Sequence, residues 1–257
     1  MNFKEVIRVG GYSMVYLAKF PDSTLGAVKI YNSSERLNQV FKNDLEICQK
    51  LHHAHIVKLL GYCDERDCLH NQTLSSQNKT QKNPNLTLTW KQRMSIAYQL
   101  AQTLDHLHDN SNPHIIHGDI KSSNILLDDR LECQFSDFGC AHVGFLSVMK
   151  PDLIIPRGIH DGGVPGNMDP HFIMTGISSK KSDVYSFGVI LLELITGLEA
   201  CTCSGERHVL LTSRVKTQDK FDVEKVVKMV HKRVLHEDEE LKAIASIAGN
   251  CLYHLPS

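Results

Sequence analysis

The segment from His117 to Asn124 restricts what this chain can fold into more than any other stretch of its 257 residues. It places the carboxylate of Asp119, the ammonium group of Lys121 and the amide oxygen of Asn124 on one polar loop between short apolar runs. Such a loop can be an ordinary turn rich in Asp and Asn. The same three groups can also act on a phosphate, since that chemistry needs a carboxylate, a cation and a metal ligand.

A second short motif, Asp137-Phe138-Gly139, follows after the length of one hairpin. Asp137 offers hard oxygen ligands suited to magnesium, and the glycine lets the backbone turn. Alone, this tripeptide occurs by accident, but its position shortly after the first motif is typical of a phosphoryl-transfer site.

Lys29 lies in the apolar run from Gly26 to Ile30, which predicts a buried strand. A buried lysine is costly unless a carboxylate or a phosphate pairs with it. The alternative is a lysine at a strand end whose ammonium group reaches water. Upstream, Gly10 and Gly11 could bring backbone N–H groups to a phosphate, although they could equally form a simple hairpin turn.

Hydrophobic periodicity divides the chain into two parts. The first part is rich in strands and has one amphipathic helix at residues 35–51. The second is mainly helical, with a helix that begins behind a capping box at Thr89 and Gln92 and an apolar helix from about Asp183, capped by Ser182, to Gly197. The pattern predicts an α+β chain with a small β-rich lobe and a larger, mainly helical lobe.

Composition excludes several classes of function. The net charge of −1 predicts no partnership with nucleic acid, and no apolar run is long enough to span a bilayer. The eight cysteines show no spacing typical of a disulfide framework or a four-ligand metal site, which favours free thiols in a reducing compartment.

The chain resembles the kinase domain of plant receptor-like protein kinases, and within them the receptor-like cytoplasmic group. The strings that carry the resemblance are residues 11–18, residues 55–63, residues 117–128, the tripeptide at 137–139 and residues 182–189. The resemblance implies one protein kinase domain over residues 1–257, with an N-lobe at 1–68 and a C-lobe at 87–257.

The resemblance also implies roles for individual residues. Asp119 would be the catalytic base, and Lys121 would neutralise the transferring phosphate. Asp183 would support the catalytic loop from below. The implied ATP-binding residues are Lys29, Gly10, Gly11, Val15 and Asp44, and the implied Mg²⁺ ligands are Asn124 and Asp137.

The sequence departs from the family pattern at several of these places. Arg8 stands at the first glycine of the glycine-rich loop, Asp44 at the helix glutamate that pairs with Lys29, and Gly118 at the arginine before the catalytic Asp. Val164 replaces a threonine of the activation segment, and His171 replaces the glutamate at its end.

The segment after Cys63 departs furthest. The family continues with an apolar strand and a hinge that binds adenine, whereas residues 69–86 here are polar. We therefore expect a polar loop in place of the hinge, a missing strand and weak ATP binding. The end of the family's C-lobe is also expected to be missing.

Two functions follow from the resemblance. One is a serine/threonine kinase that transfers the γ-phosphate of MgATP to protein hydroxyls. The other is a non-catalytic pseudokinase that acts as an interaction or scaffold module. Either would have a protein partner, namely a substrate and a receptor or another kinase. Either would be cytoplasmic, and partners could bring it to the inner face of the plasma membrane.

Overall fold

The chain folds into two compact units, the first comprising Met1–Pro84 and Ser123–Val143 and the second Asn85–Ser122 and Gly144–Ser257. The computed structural model describes residues 2–9, 13–20, 25–32, 34–63, 71–74, 88–144, 146–148, 166–204, 207–230 and 237–253. The first unit is built on a sheet and the second mainly from helices, which confirms the predicted α+β composition.

A five-stranded antiparallel sheet is the framework of the first unit. Its strands are β1 (Asn2–Val9), β2 (Ser13–Lys19), β3 (Leu25–Tyr31), β4 (Leu59–Cys63) and β5 (Asn71–Leu74), in the spatial order β1-β2-β3-β5-β4. Strand β3 lies in the middle and is buried along most of its length. Its continuous apolar run is typical of a strand covered on both faces.

The prediction of a missing strand after Cys63 is wrong. Asn71–Leu74, assigned above to a polar loop, forms β5 and pairs with both β3 and β4. Gln72, for example, stands opposite Lys29 on one side and Tyr62 on the other. The prediction required an apolar run of about 5–6 residues, but a ladder is made by backbone N–H and C=O groups that every residue except proline carries. The expected hinge beyond β5 lies outside the described residues.

A long helix and a small hairpin complete the first unit. Helix α1 (Glu35–Lys50) begins at Ser34, whose side chain accepts a hydrogen bond from the Leu37 amide. Its buried Phe41 packs edge-on against Tyr31 of β3, with ring centroids 5.6 Å apart. The predicted helix at 35–51 is thus confirmed.

The hairpin carries the two predicted metal ligands at its ends. A short 3₁₀ turn (Ser122–Asn124) leads into β7 (Ile125–Leu127), which pairs with β8 (Cys133–Phe135), and a second 3₁₀ turn (Phe138–Cys140) follows. Backbone hydrogen bonds from Val57 N to Phe135 O (3.0 Å) and from Phe135 N to His55 O (2.8 Å) attach the hairpin to the rest of the unit. Strand β9 (His142–Val143) ends this stretch.

The second unit is organised around three long helices. They are α2 (Trp90–Asp105), which continues as a π-helical turn (His106–Asn110), α4 (Lys180–Thr196) and α7 (Asp238–Tyr253). The shorter elements are β6 (Ile115–Ile116), β10 (Leu146–Val148), α3 (Pro170–Thr175), β11 (Ile177–Ser179), β12 (Cys201–Ser204), β13 (Arg207–Leu210), α5 (Leu211–Arg214), β14 (Lys216–Thr217), β15 (Lys220–Phe221) and α6 (Val223–Met229).

The predicted helix ends hold except at the start of α4. The capping box of Thr89 and Gln92 is present, and Gly197 ends α4 in the left-handed conformation. Helix α4, however, begins at Lys180 and is capped by Ser179, with Ser182 as the third helical residue of a capping box. The prediction of a start at Asp183 was wrong because it followed the apolar run, whereas the cap lies a full turn earlier.

Among the described residues, no helix combines the length and the apolarity that a membrane span needs.

Candidate functional site

Lys29 is the buried cation of the first unit. It lies on β3 opposite Val15 of β2 and is only 5% exposed. Its Nζ is 3.0 Å from Asp44 Oδ2 and 2.7 Å from Asp137 Oδ1. The structure thus joins three of the residues singled out in the sequence, and the reading of Lys29 as a strand-end lysine that reaches water is wrong.

Asp44 accepts hydrogen bonds from several parts of the unit. Besides Lys29, its carboxylate accepts from the hydroxyl of Tyr31, from the Phe138 amide at 2.8 Å and from the Cys48 thiol at 3.5 Å. The side chain is 2% exposed, so these protein donors take the place of water.

A close approach of helix α1 compensates for the short side chain of Asp44. A Cβ atom on Gly139 would lie 2.5 Å from Val40 Cγ1 on α1, so glycine is what lets this turn contact the helix. Asn43 reinforces the contact, because its Nδ2 donates to the carbonyls of Phe138 (3.2 Å), Gly139 (3.0 Å) and Ala141 (2.5 Å). Asn43 was not predicted from the sequence, and nothing in its sequence context marks it.

Electrostatics keep Lys29 charged despite its burial. Burial alone lowers the pKa of the Lys29 ammonium group, but the charges of Asp137 and Asp44 outweigh it and hold the pKa well above its ordinary value. Burial and the charge of Asp44 raise the pKa values of Tyr31 and Cys48. The cluster therefore holds a charged ammonium group between two carboxylates.

The hairpin holds Asn124 beside Asp137. Both the backbone amide and the hydroxyl of Ser136 donate to the backbone carbonyl of Asn124 at 2.9 Å, next to the Ile125–Phe135 pair of the hairpin. Asp137 itself adopts a left-handed backbone (φ 71°, ψ 65°), which is uncommon for a residue other than glycine and clusters at functional sites. Oxygen donors of this kind fit a hard divalent cation.

Arg8 reaches the same place from β1. Its guanidinium donates to the Ser123 carbonyl at 2.6 Å, to the Ser123 hydroxyl at 3.2 Å and to Asn124 Oδ1 at 3.1 Å. The sequence marked Arg8 only as an unusual residue in a glycine-rich loop and gave no indication of this contact. Gly10 and Gly11 lie outside the described residues, as does Val164.

Asp119 and Lys121 belong to the second unit. Lys121 Nζ lies 2.9 Å and 2.7 Å from the two oxygens of Asp119, and both side chains are partly exposed. A carboxylate with a cation beside it, open to solvent, can accept a proton from a hydroxyl and stabilise negative charge.

The supporting role predicted for Asp183 is confirmed. From α4 its carboxylate accepts from the amides of His117 (2.7 Å) and Gly118 (2.9 Å), which fixes the backbone just before Asp119. His108 Nε2 lies 2.9 Å from the same carboxylate, a partner that the sequence analysis missed. Gly118 has φ 75°, so glycine at this position avoids the strain that a larger residue would have.

His171 is exposed in α3, where its backbone amide donates to the capping carboxylate of Asp169 at 2.9 Å. The substitution at this position therefore leaves the start of α3 formed.

Comparison with known proteins agrees with this geometry. The model of the protein kinase domain family matches residues 1–252. A probable receptor-like protein kinase of Arabidopsis thaliana is 40% identical over 98% of this chain and 78% of its own length. Salt tolerance receptor-like cytoplasmic kinase 1 of Oryza sativa subsp. japonica is 42% identical over 98% of this chain and 71% of its own.

A solved structure shows the same fold. The pseudokinase domain of BIR2, an immune regulator of the RLK/Pelle family, aligns with a TM-score of 0.67 and 26% identity over 96% of this chain and 74% of that one. Protein kinase domains in general use ATP and a divalent metal ion and act on proteins. Since the family model matches residues 1–252 and the two relatives are at least 40% identical over 98% of this chain, the chain belongs to the protein kinase family, among the plant receptor-like kinases.

Proposed function

We propose that this chain is a serine/threonine kinase that transfers the γ-phosphate of MgATP to protein hydroxyl groups. The observation that carries the proposal is the buried Lys29 between Asp44 and Asp137. Such a cation has no structural need to be buried there, since an apolar side chain of similar size is often at least as stable.

In this proposal the first unit binds the nucleotide. Lys29 binds the α- and β-phosphates, Asp44 orients Lys29, and Asp137 is a ligand for Mg²⁺. The resemblance implies Asn124 as a second ligand, but Arg8 donates to its amide oxygen at 3.1 Å. Gly10, Gly11 and Val15 belong to the same ATP-binding set by resemblance. When bound, MgATP supplies the phosphoryl group and a metal charge that offsets the charge of the phosphates.

The second unit supplies the groups that act on the protein hydroxyl. Asp119 accepts the proton of the attacking hydroxyl, and Lys121, already within 2.7 Å of Asp119, stabilises the negative charge that develops. Asp183 holds the backbone of this loop in position. We propose that residues 1–257 act as one kinase domain, with the N-lobe at residues 1–68 and the C-lobe at residues 87–257.

The partners follow from the same assignment. We propose a protein substrate and an upstream receptor or second kinase, because two relatives that match 98% of this chain are named receptor-like kinases. We also propose a cytoplasmic location, which agrees with the name of the rice relative. A receptor partner would bring the chain to the inner face of the plasma membrane.

A pseudokinase is the second candidate. Arg8 already occupies the amide oxygen of Asn124, and the structural relative is a pseudokinase domain. In this alternative the fold and the Lys29 cluster persist as a binding module, and no phosphate is transferred.

A phosphotransfer assay separates the two candidates. Wild type, Asp119→Asn and Asp137→Asn would be incubated with radiolabelled MgATP and a general protein substrate, with Asp129→Asn in the exposed turn of the hairpin as the matched control. We expect wild type and the control to transfer phosphate and both site variants to lose roughly 100-fold or more of that activity. Activity that survives both site substitutions would refute the assigned roles. Absence of activity in folded wild type would favour the pseudokinase.

A further inference from the structure

Arg8 is placed against Asn124 by the sheet and does not lie there as a loose surface side chain. It stands opposite Val15 in the β1–β2 ladder, and its guanidinium makes three hydrogen bonds to Ser123 and Asn124. Hydrogen bonds from a guanidinium are charge-assisted, and arginine stays protonated at all accessible pH values.

The acceptor is equally well fixed. Asn124 is fully buried, and its backbone carbonyl accepts both hydrogen bonds from Ser136, the residue before Asp137, which fixes the backbone that carries the side-chain amide. Arg8 therefore brings a positive charge to the amide oxygen that the proposed function assigns to a metal ion.

A divalent cation and a guanidinium compete for such an oxygen. Magnesium requires near-octahedral ligands at about 2.0–2.1 Å, and it would lie within a few ångströms of the guanidinium charge. Two cations that close repel each other strongly in a partly buried site. Kinases that use both metal ligands bind a cation at each, so a fixed arginine at one of them changes the metal content of the site.

We propose that Arg8 occupies Asn124 Oδ1 in place of a divalent cation, so that this chain binds its nucleotide with a single divalent cation, at Asp137. The count of metal ions per nucleotide rests on the proposed function. The exclusion of a cation from Asn124 does not, because it depends only on contacts within the first unit.

Counting bound Mn²⁺ by electron paramagnetic resonance tests this directly. The proteins are wild type, Arg8→Ala, Arg8→Met, which keeps a long apolar stem, and Arg130→Ala as an exposed arginine control in the turn between β7 and β8. Each is titrated with Mn²⁺ both alone and with a saturating non-hydrolysable ATP analogue, after thermal unfolding has shown that it is folded.

We expect wild type and Arg130→Ala to bind one Mn²⁺ with the analogue, and both Arg8 variants to bind a second. Without the analogue, the Arg8 variants should bind Mn²⁺ roughly tenfold or more tightly than wild type, because a charged competitor has been removed. Adding Asn124→Ala to Arg8→Ala should abolish this gain, which a merely structural role of Arg8 would not predict.

The outcomes distinguish a failure of the proposed nucleotide function from a failure of the inference about Arg8. If wild type binds no analogue but the Arg8 variants still gain Mn²⁺ affinity, the proposed nucleotide function fails and the exclusion of metal by Arg8 stands. If the Arg8 variants bind Mn²⁺ like wild type in both titrations, or if wild type already binds two Mn²⁺ with the analogue, the inference about Arg8 is overturned.

Discussion

At the scale of single residues, the buried charges of the first unit form one mutually dependent set. Lys29 is 5% exposed and Asp44 2% exposed, so each would be costly without the other. The carboxylate of Asp44 also accepts from the Phe138 amide, which links the helix, the β3 strand and the turn after Asp137 through one side chain. A substitution at Asp44 therefore removes hydrogen bonds that join these three elements.

Asp44→Asn should destabilise the protein by about 3 kcal/mol, because it leaves the buried Lys29 with one carboxylate fewer. The matched control is Glu46→Gln in the same helix, where an exposed pair with Lys50 (2.7 Å) should contribute little. Urea unfolding of both variants provides the comparison. A loss as small in Asp44→Asn as in Glu46→Gln would show that the buried pair does not matter for stability.

Glu193 of α4 should make stability depend on pH. Burial raises the pKa of its carboxyl above the ordinary value of 4.5, and hydrogen bonds from Ala200 N and Ser122 Oγ offset this only in part. Because the folded pKa is the higher one, the ionised form costs more in the folded than in the unfolded protein. The contribution of Glu193 to the free energy of unfolding is therefore fully present below pH 4.5, and it is lost as the pH rises through the pKa of the folded protein.

Glu193→Gln removes this titration and keeps an oxygen acceptor. We expect it to gain stability relative to wild type as the pH rises above 4.5, measured by urea unfolding at several pH values. A constant difference between the two proteins across this range would contradict the assigned pKa shift.

At the scale of elements, the contact between helix α1 and the turn at Phe138–Cys140 fixes the position of Asp44 and thereby that of Lys29. Gly139 permits the close approach, and Asn43 donates to three carbonyls of the turn and its flank. The sequence pattern predicted the helix, because periodicity is local. It could not predict the contact with residues almost a hundred positions away, since glycine and asparagine carry no signal of their partners.

Asn43→Ala should loosen this contact without unfolding the helix. We expect faster amide hydrogen exchange in the turn and in α1, because three backbone carbonyls lose their hydrogen bonds from Asn43. Gln39→Ala, on the exposed face of the same helix, is the control and should exchange like wild type. Equal exchange in the two variants would mean that Asn43 does not hold the turn.

Strand β5 shows the limit of reading strands from apolar runs. Its sequence, Asn-Gln-Thr-Leu, has one apolar residue, yet it pairs on both sides between β3 and β4. The neighbouring strands supply backbone partners, and that tertiary context overrides weak local propensity.

A proline in the middle of β5 tests whether residues 71–74 form a paired strand. Thr73 stands opposite Val28 and Gly61, and Thr73→Pro removes the backbone N–H that a central strand uses. We expect a clear loss of thermal stability in Thr73→Pro and little in Thr73→Ala, which keeps the N–H. Equal melting temperatures for the two variants would mean that residues 71–74 form an unpaired loop and not a strand.

At the scale of the whole molecule, family membership was readable from the sequence because the motifs are short and ordered along the chain. The pairing of Lys29 with Asp44 was also predicted, because the resemblance places Asp44 at the family's helix carboxylate. The bond of Arg8 to Asn124 was not, because it joins β1 to a loop more than a hundred residues away through a side chain that the family pattern lacks. The structure was therefore needed to find what Arg8, a departure from the family pattern, contacts.

The most direct test of the account is calorimetric titration of the purified chain with ATP, with Mg²⁺ and with a chelator in its place. We expect binding that weakens by roughly tenfold or more when Mg²⁺ is removed or when Asp137 is changed to Asn, because a cation held by Asp137 would offset the phosphate charge. Absence of ATP binding by folded wild type, or binding that neither the chelator nor Asp137→Asn alters, would contradict it.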